Sequence, residues 1–244
     1  MNMGEDTIRI GQAAKILGVT AQTLRNWEKS GRLRAQRTVG GQRCYAAADI
    51  ARLAVDLAGL GWAWAASAQP PVLPPDYYCE RSDRFTSRLV KMGTVLQPSL
   101  GVDSTDLVSL LTLVAGEIGD NSFAHNAGNW PDVPGVFYGY DERKRIIVLA
   151  DRGQGVRATL QRVRPTIASD VEALRIAFTE IISGRDPEKR GNGLKVIRQI
   201  AETKSIGLIF RSGLGVVRIP TEPGSMKITM ATENVRGAYA VISF

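Results

Sequence analysis

The sequence predicts an α+β protein of two domains, and three observations carry that expectation. Its 244 residues suit one large domain or two modest ones. A hydrophobic share of 44% supplies enough apolar material for a packed core. The composition shifts sharply once, at residues 59–76, "GLGWAWAASAQPPVLPPD", where Ala, Gly and Pro dominate and charge is absent until Asp76. Two double prolines in that stretch favour extended backbone and stop a helix, so the spacing predicts a linker there. The domains expected are residues 1–58 and 77–244, and Trp62 and Trp64 are expected to pack on one of them.

Charge and cysteine content narrow the classes of function. The formal net charge is +7 and the sequence pI is near 9.6, which favours polyanionic partners such as nucleic acid, membrane surface or nucleotide phosphate. Cys44 and Cys79 show neither paired spacing nor a ligand motif, which argues against a disulfide scaffold and fits a reducing compartment. The opening "MNMGEDTIRI" places acids where a signal peptide would carry bases, and no apolar run is long enough to span a bilayer. A cytoplasmic protein without a membrane partner is expected.

The first unit reads as a helix-turn-helix followed by a strand pair. "IGQAAKILGV" places Ala13, Ala14, Ile16 and Leu17 on one short helical face, and Gly18 ends it. Thr20 is placed to cap a second helix, "TAQTLRNWEKSG", closed by Gly31. Two short helices joined by a tight glycine-containing turn define the motif. Then come "LRAQRT", the glycine turn "VGGQ", the strand-like "RCY" and a helix "AAADIARLAVDLA", so the turn between strands forms a wing. Arg32, Arg34, Arg37 and Arg43 cluster in sequence at this end, an electrostatic footprint for a phosphate backbone.

"TLRNWEKSGRL", then "GGQRCY", then Asp49 at the start of the next helix resembles the winged helix-turn-helix of MerR-type regulators. The resemblance implies that the second helix enters the major groove of double-stranded DNA. Gln22, Thr23 and Asn26 would face base edges, Arg25 a phosphate, and Arg43 and Tyr45 the backbone beside the wing, with Arg37 counted among the DNA-binding residues for its place in the basic cluster. The chemistry agrees: Gln and Asn bond an adenine edge through two bonds, and Arg donates to phosphate oxygens. The sequence departs from that family where the linker replaces a long dimerisation helix. One copy touches little DNA, so homodimers or cooperative arrays are expected on DNA.

The second unit alternates helices and strands. "RFTSRLVKMGTVL" sets Phe85, Leu89, Met92 and Leu96 at helical spacing, and "DSTDLVSLLTLVAGEIGDNSFAH" reads as a long helix. On it Glu117, Asn121 and His125 lie four apart and form a polar stripe. "GVFYGYD" and "RIIVLAD" read as paired strands, and "SDVEALRIAFTEI" and "GLKVIRQIAE" as helices. "IGLIFR", "GVVRIP", "MKITMA" and "AYAVISF" read as closing strands.

Glu117-x-x-x-Asn121 on a helix, then Asp151-x-Gly153-x-Gly155 after a strand, then Gly191-x-Gly193 opening a helix resembles the GHKL ATP-binding fold. That superfamily includes gyrase, heat-shock chaperones, mismatch-repair proteins and histidine kinases; the local likeness is to the anti-sigma-factor kinases, where a His also follows the Asn by four. The resemblance implies a Bergerat-type α/β sandwich, a mixed sheet with helices on one face, holding ATP and Mg²⁺. Asn121 would offer a neutral oxygen to Mg²⁺, and Asp151 would accept a bond from the adenine amino group. Gly153 and Gly155 would let the backbone approach the base. Gly191, Gly193 and Leu194 at a helix start would favour phosphate, with Arg185, Lys189 and Arg190 as lid residues. Glu117 matches the residue that orients or deprotonates water in hydrolysing relatives. His125 is the only histidine and is expected to be structural, since no partner of metal-ligand type accompanies it. Ala238 in "RGAY" stands where many relatives carry a Thr that helps hold adenine.

The function expected is a DNA-binding transcription regulator whose second domain is an ATP-dependent switch. The alternatives are a protein serine/threonine kinase of the anti-sigma type, with a sigma- or anti-sigma-like protein partner, and a DNA-stimulated ATPase of a phage, plasmid or defence module.

Overall fold

The computed structural model describes residues 7–17, 19–31, 33–38, 40–101, 104–181, 192–222 and 224–244. The chain divides into two compact units, Met1–Asp56 and Leu57–Phe244.

In the first unit, helix α1 (Ile10–Leu17) and helix α2 (Ala21–Lys29) form the expected pair. Thr20 caps α2: its hydroxyl accepts the Thr23 N–H at 3.1 Å, satisfying one of the helix's free donors. Gly31 ends it with φ +73, the left-handed conformation that closes helices. Gly18, expected to end α1, lies outside the described residues. Leu24 of α2 is fully buried against Ala13, Leu33, Tyr45, Ile50 and Leu53. Ile16, expected on the buried face of α1, is instead 45% exposed, because the small Ala13 and Ala14 make the contact. Strands β1 (Thr7–Arg9), β2 (Gln36–Arg37) and β3 (Arg43–Ala46) form an antiparallel sheet of order β1-β3-β2. Strand β1 adds a third member to the expected pair. Helix α3 (Ala47–Ala54) completes the unit and buries Ile50 and Leu53.

The second unit begins at Leu57, two residues before the stretch expected to be a linker, and takes that stretch in. Residues Leu57–Ala66 form helix α4, which buries Leu57, Gly61, Trp64 and Ala65. Only after it does the Pro-rich segment run extended, ending in a 3₁₀ turn at Pro75–Tyr77. The double prolines at Pro70–Pro71 and Pro74–Pro75 break the chain as expected, but their influence does not reach back to the alanines and tryptophans. Strand β4 (Tyr78–Cys79) leads into helix α5 (Ser82–Leu100), which buries Phe85, Leu89, Met92 and Leu96. Helix α6 (Thr105–Asn126) packs against it. Strands β5 (Val136–Asp141) and β6 (Ile146–Asp151) are paired, and helices α7 (Gly155–Gln161), α8 (Asp170–Thr179) and α9 (Gly193–Thr203) follow. The four closing strands merge into two long ones, β7 (Gly207–Ile219) and β8 (Lys227–Ser243). Gly213 and Gly237 take left-handed φ values of 60° and 67° at irregularities within this ribbon, so they bulge the strands without ending them.

The sheet order is β4-β5-β6-β8-β7, and every pairing is antiparallel, in place of the expected mixed sheet. The helices also cover both faces, not one. Alternation along β5 and β6 sends Val136, Tyr138, Ile147 and Leu149 to the main core with α5, α6 and α8. The alternate residues Phe137, Gly139 and Val148 meet α4 and Tyr77: a side chain at Gly61 would touch Phe137 and Val148, and one at Gly139 would touch Leu57. Trp62 meets Tyr239 edge-on at 5.4 Å and lies under the Arg211 guanidinium at 4.2 Å. The near-continuous apolar run of β6 reflects burial on both sides.

Arg152 fastens α4 to the sheet. It is fully buried and donates to the carbonyls of Trp64, Ser67 and Ala68 and to Asp132 Oδ2, with Nε at 2.8 Å from that carboxylate. The guanidinium thereby satisfies the free carbonyls at the end of α4 and complements the negative end of the helix dipole. Removing one partner of such a buried set strands the others. Arg152→Ala is expected to cost about 3 kcal/mol of stability, with Arg152→Lys recovering only part of it; urea unfolding followed by tryptophan fluorescence measures both.

Candidate nucleic-acid interface and candidate nucleotide pocket

The exposed side of α2 carries a chain of polar side chains. Gln22 Nε2 donates to Asn26 Oδ1 at 3.1 Å, and Arg25 donates to Gln22 Oε1 at 3.1 Å. Residues four and three apart on a helix are neighbours, so spacing alone produces this ordered strip. Thr23 differs: its hydroxyl pairs with that of Thr20 at 2.9 Å and serves the helix start. Arg37 donates to the Gly41 carbonyl at 3.2 Å across the β2–β3 turn, and Arg43 pairs with Glu28 at 2.8 Å, tying β3 to α2. Tyr45 is the clear correction. It is fully buried in the core of the unit, so its ring cannot reach a phosphate backbone. Cys44 beside it is buried as well, and only Arg43 and Ala46 at the ends of β3 are half-buried, so the middle of this short strand is enclosed on both sides. Arg34 is exposed; Arg32 lies outside the described residues.

In the second unit one cavity gathers residues from several elements far apart in the chain. Asn121, Ser122, His125 and Asn126 come from α6, Asp151 from the end of β6, Gly155 from the start of α7, Gly193 and Leu194 from the start of α9, and Gly237 and Ala238 from β8. The expected stripe is half-buried: Glu117, Asn121 and His125 face this side of α6 together. Glu117 does not line the cavity but lies beside it, its Oε2 2.5 Å from where a Cβ on Gly193 would stand, with Asn121 Nδ2 at 3.4 Å. Glycine at position 193 is therefore what lets α9 start against that carboxylate.

Asp151 is buried and its oxygens are held by the protein itself. Oδ2 accepts the Ser122 hydroxyl at 2.6 Å, Oδ1 accepts the Gly153 N–H at 2.8 Å, and the Ala238 N–H also donates to the carboxylate. Burial pushes the carboxyl above the ordinary aspartate range, while the Ser122, Gly153 and Ala238 donors pull it back. A carboxylate has about four acceptor positions, so three internal donors leave one for an outside donor. Ala238 thus contributes through its backbone, where a side-chain contact was expected to be missing.

Gly153 does not line this cavity. A side chain there would collide with the carboxamide of Asn126, which accepts the Gln154 N–H at 2.8 Å and donates to the Ser122 carbonyl at 2.8 Å. The close approach that position 153 permits is to Asn126. Gly155 does line the cavity; Ser212 beside it accepts the Val156 N–H at 2.9 Å and donates to the Gly237 carbonyl at 2.7 Å. Gly237 has a left-handed φ, and a Cβ on it would strike Asp151 Oδ1. Ser122, Asn126, Ser212 and Gly237 escaped sequence reasoning. Ser122 and Asn126 are four apart, but one residue off the stripe, and their partners lie 29 and 28 residues downstream. Arg185, Lys189, Arg190 and Gly191, the expected lid and phosphate residues, lie outside the described residues.

Residues 9–45 match the family model described as MerR family regulatory protein. That segment spans α1, α2 and the strand pair, so the amino-terminal unit is a MerR-type, DNA-binding helix-turn-helix and the chain a DNA-binding transcription regulator. No curated protein and no solved structure matches the chain. Among the described residues no helix is long and apolar enough to cross a membrane, and no group of three or more His, Cys, Asp or Glu side chains forms a metal cluster.

The raised value of Asp151 has a definite sign in folding. Its contribution to stability is fully present below the aspartate value of the unfolded chain, about 3.9, and is lost as pH rises through the higher folded value. The stability of wild type relative to Asp151→Asn is therefore expected to fall as pH is raised above about 4, which parallel urea titrations of the two proteins would read.

Proposed function

We propose that the second unit is a GHKL-type domain that binds ATP with Mg²⁺ and sets the DNA-binding activity of the regulator. One observation carries this reading: Asn121, Asp151 and Gly193, from three distant stretches, meet at one cavity with Glu117 beside it. The remaining acceptor position of Asp151 suits the amino group of adenine. Mg²⁺ is ordinarily held by one or two protein oxygens together with phosphates and waters, so a single half-buried carboxamide such as Asn121 fits that ion and a multi-ligand cluster is not required. The start of α9, an eleven-residue helix, presents free N–H groups at Gly193 and Leu194 that favour phosphate.

Successive residues of the chain link the pocket to α4: Asp151 lines the cavity, and Arg152 holds the end of α4. Only Val55 and Asp56 separate α3 from α4. Nucleotide that binds one arrangement of the Asp151 segment better than another would shift the regulator between states. On DNA the winged helix-turn-helix would act as a homodimer, with Gln22 and Asn26 toward base edges and Arg25, Arg37 and Arg43 toward phosphates.

Saturating Mg-ATP is expected to stabilise the wild type by about 2.7 kcal/mol at a hundredfold excess over its dissociation constant, and to leave Asp151→Ala and Asn121→Ala unshifted. Thermal unfolding tests this; no shift in wild type at millimolar Mg-ATP overturns the reading. A second reading, hydrolysis of the bound ATP, is favoured by the position of Glu117 against Gly193. It expects Glu117→Ala to bind ATP and lose phosphate release.

On DNA, Arg25→Ala is expected to lower the slope of log K against log salt by about one, while Asn26→Ala costs about 1–3 kcal/mol on the preferred site and little on others. Fluorescence anisotropy over a salt series separates the two.

A further inference from the structure

A second cavity lies on the other side of the segment that follows Asp151. Its volume is about 400 Å³, within the range of small-molecule sites, and its lining is polar. Three arginines, Arg152, Arg157 and Arg236, face two aspartates, Asp132 and Asp170, which leaves one positive charge uncompensated. The ion pairs show where. Asp132 takes both Arg152 and Arg236, the latter at 3.2 Å. Asp170 opens α8 and accepts the Leu214 N–H at 2.9 Å. Arg157 has no ion-pair partner among the described residues, and its Nε is buried without a hydrogen bond.

A buried guanidinium N–H without an acceptor is costly, and such groups are ordinarily satisfied. The planar fork of arginine matches phosphate oxygens, and it holds its charge at any ordinary pH. Arg157 stands on α7 and Arg236 on β8, so the two cations approach from different walls. A tetrahedral phosphate presents oxygens in several directions at once and meets both, where a planar carboxylate presents one edge. The space left beyond such a group carries Gln161 and Asn234, which suit a hydroxylated or amide-bearing body. We propose that this cavity binds a small phosphorylated metabolite, with the phosphate held by Arg157 and Arg236. This site is separate from the nucleotide pocket and does not depend on that reading, although Gly155 and Gly237 border both cavities.

Inorganic phosphate is the probe, titrated by calorimetry into the full-length protein at constant ionic strength. Sulfate and acetate serve as comparators, because a chain of net charge +7 attracts anions without a site. Wild type is expected to show one saturable event with phosphate and none with acetate. Arg157→Gln is expected to weaken it at least about tenfold and Arg157→Lys to weaken it less. Arg236→Gln provides the second variant should Arg157→Gln fail to give the native circular dichroism spectrum. Arg157→Gln is expected to lose phosphate binding and to keep whatever thermal shift Mg-ATP gives the wild type, so failure of the nucleotide reading does not imitate failure here. The proposal is overturned by the absence of saturable binding, by equal binding in wild type and the native-like arginine variants, or by a response to acetate as strong as to phosphate.

Discussion

The burial of the Arg152 guanidinium is the constraint around which the second unit is arranged. A charge taken out of water must find partners within reach, and here they are the carbonyls that end α4 and the carboxylate of Asp132. That set brings an almost uncharged helix onto a sheet face which would otherwise expose Phe137, Val148 and Tyr239. The same strand end places Asp151 on the opposite side. Period-two alternation makes neighbours of two ionisable residues in sequence and separates their roles in space. A slip of one residue in β6 would put the carboxylate under α4 and the guanidinium in the pocket.

Around Asp151 the local rules of three elements converge. Ser122 and Asn126 share an inner face of α6 because they are four residues apart, and each meets a different part of the segment after β6. The bulge at Gly237 lets β8 come against the carboxylate, and Ser212 on β7 joins that bulge to the first turn of α7. The carboxylate is thereby held in one orientation by the protein's own donors, and a buried polar network satisfied in this way rigidifies the segment around it.

The two units differ in how much of them local sequence displays. In the first, Thr20 and Gly31 mark the bounds of α2, the turn between β2 and β3 is announced by glycines, and Gln22, Arg25 and Asn26 lie exposed on one helix face. Tyr45 escaped that logic, because burial on so short a strand depends on what packs there, and here Cys44 and Tyr45 are both enclosed. In the second, α5, α6, α8 and α9 and the β5–β6 hairpin follow their periodicities. Helix α4 does not: an all-apolar, alanine- and tryptophan-rich run has no amphipathic stripe to announce it, and the prolines beyond it disguised it as linker.

Sequence by itself determined helices α1, α2, α5, α6, α8 and α9, the β5–β6 hairpin and the Thr20 cap, because each of these depends on neighbours within a few residues. Tertiary structure decided that the sheet is antiparallel throughout, that helices cover both of its faces, and that Gly153 makes room for Asn126. It also decided that Asp151 and Arg152, adjacent in the chain, serve a cavity and a helix end. Those outcomes rest on which groups meet across 28 to 88 residues of chain, where hydrogen-bond satisfaction and packing, not local propensity, select the arrangement.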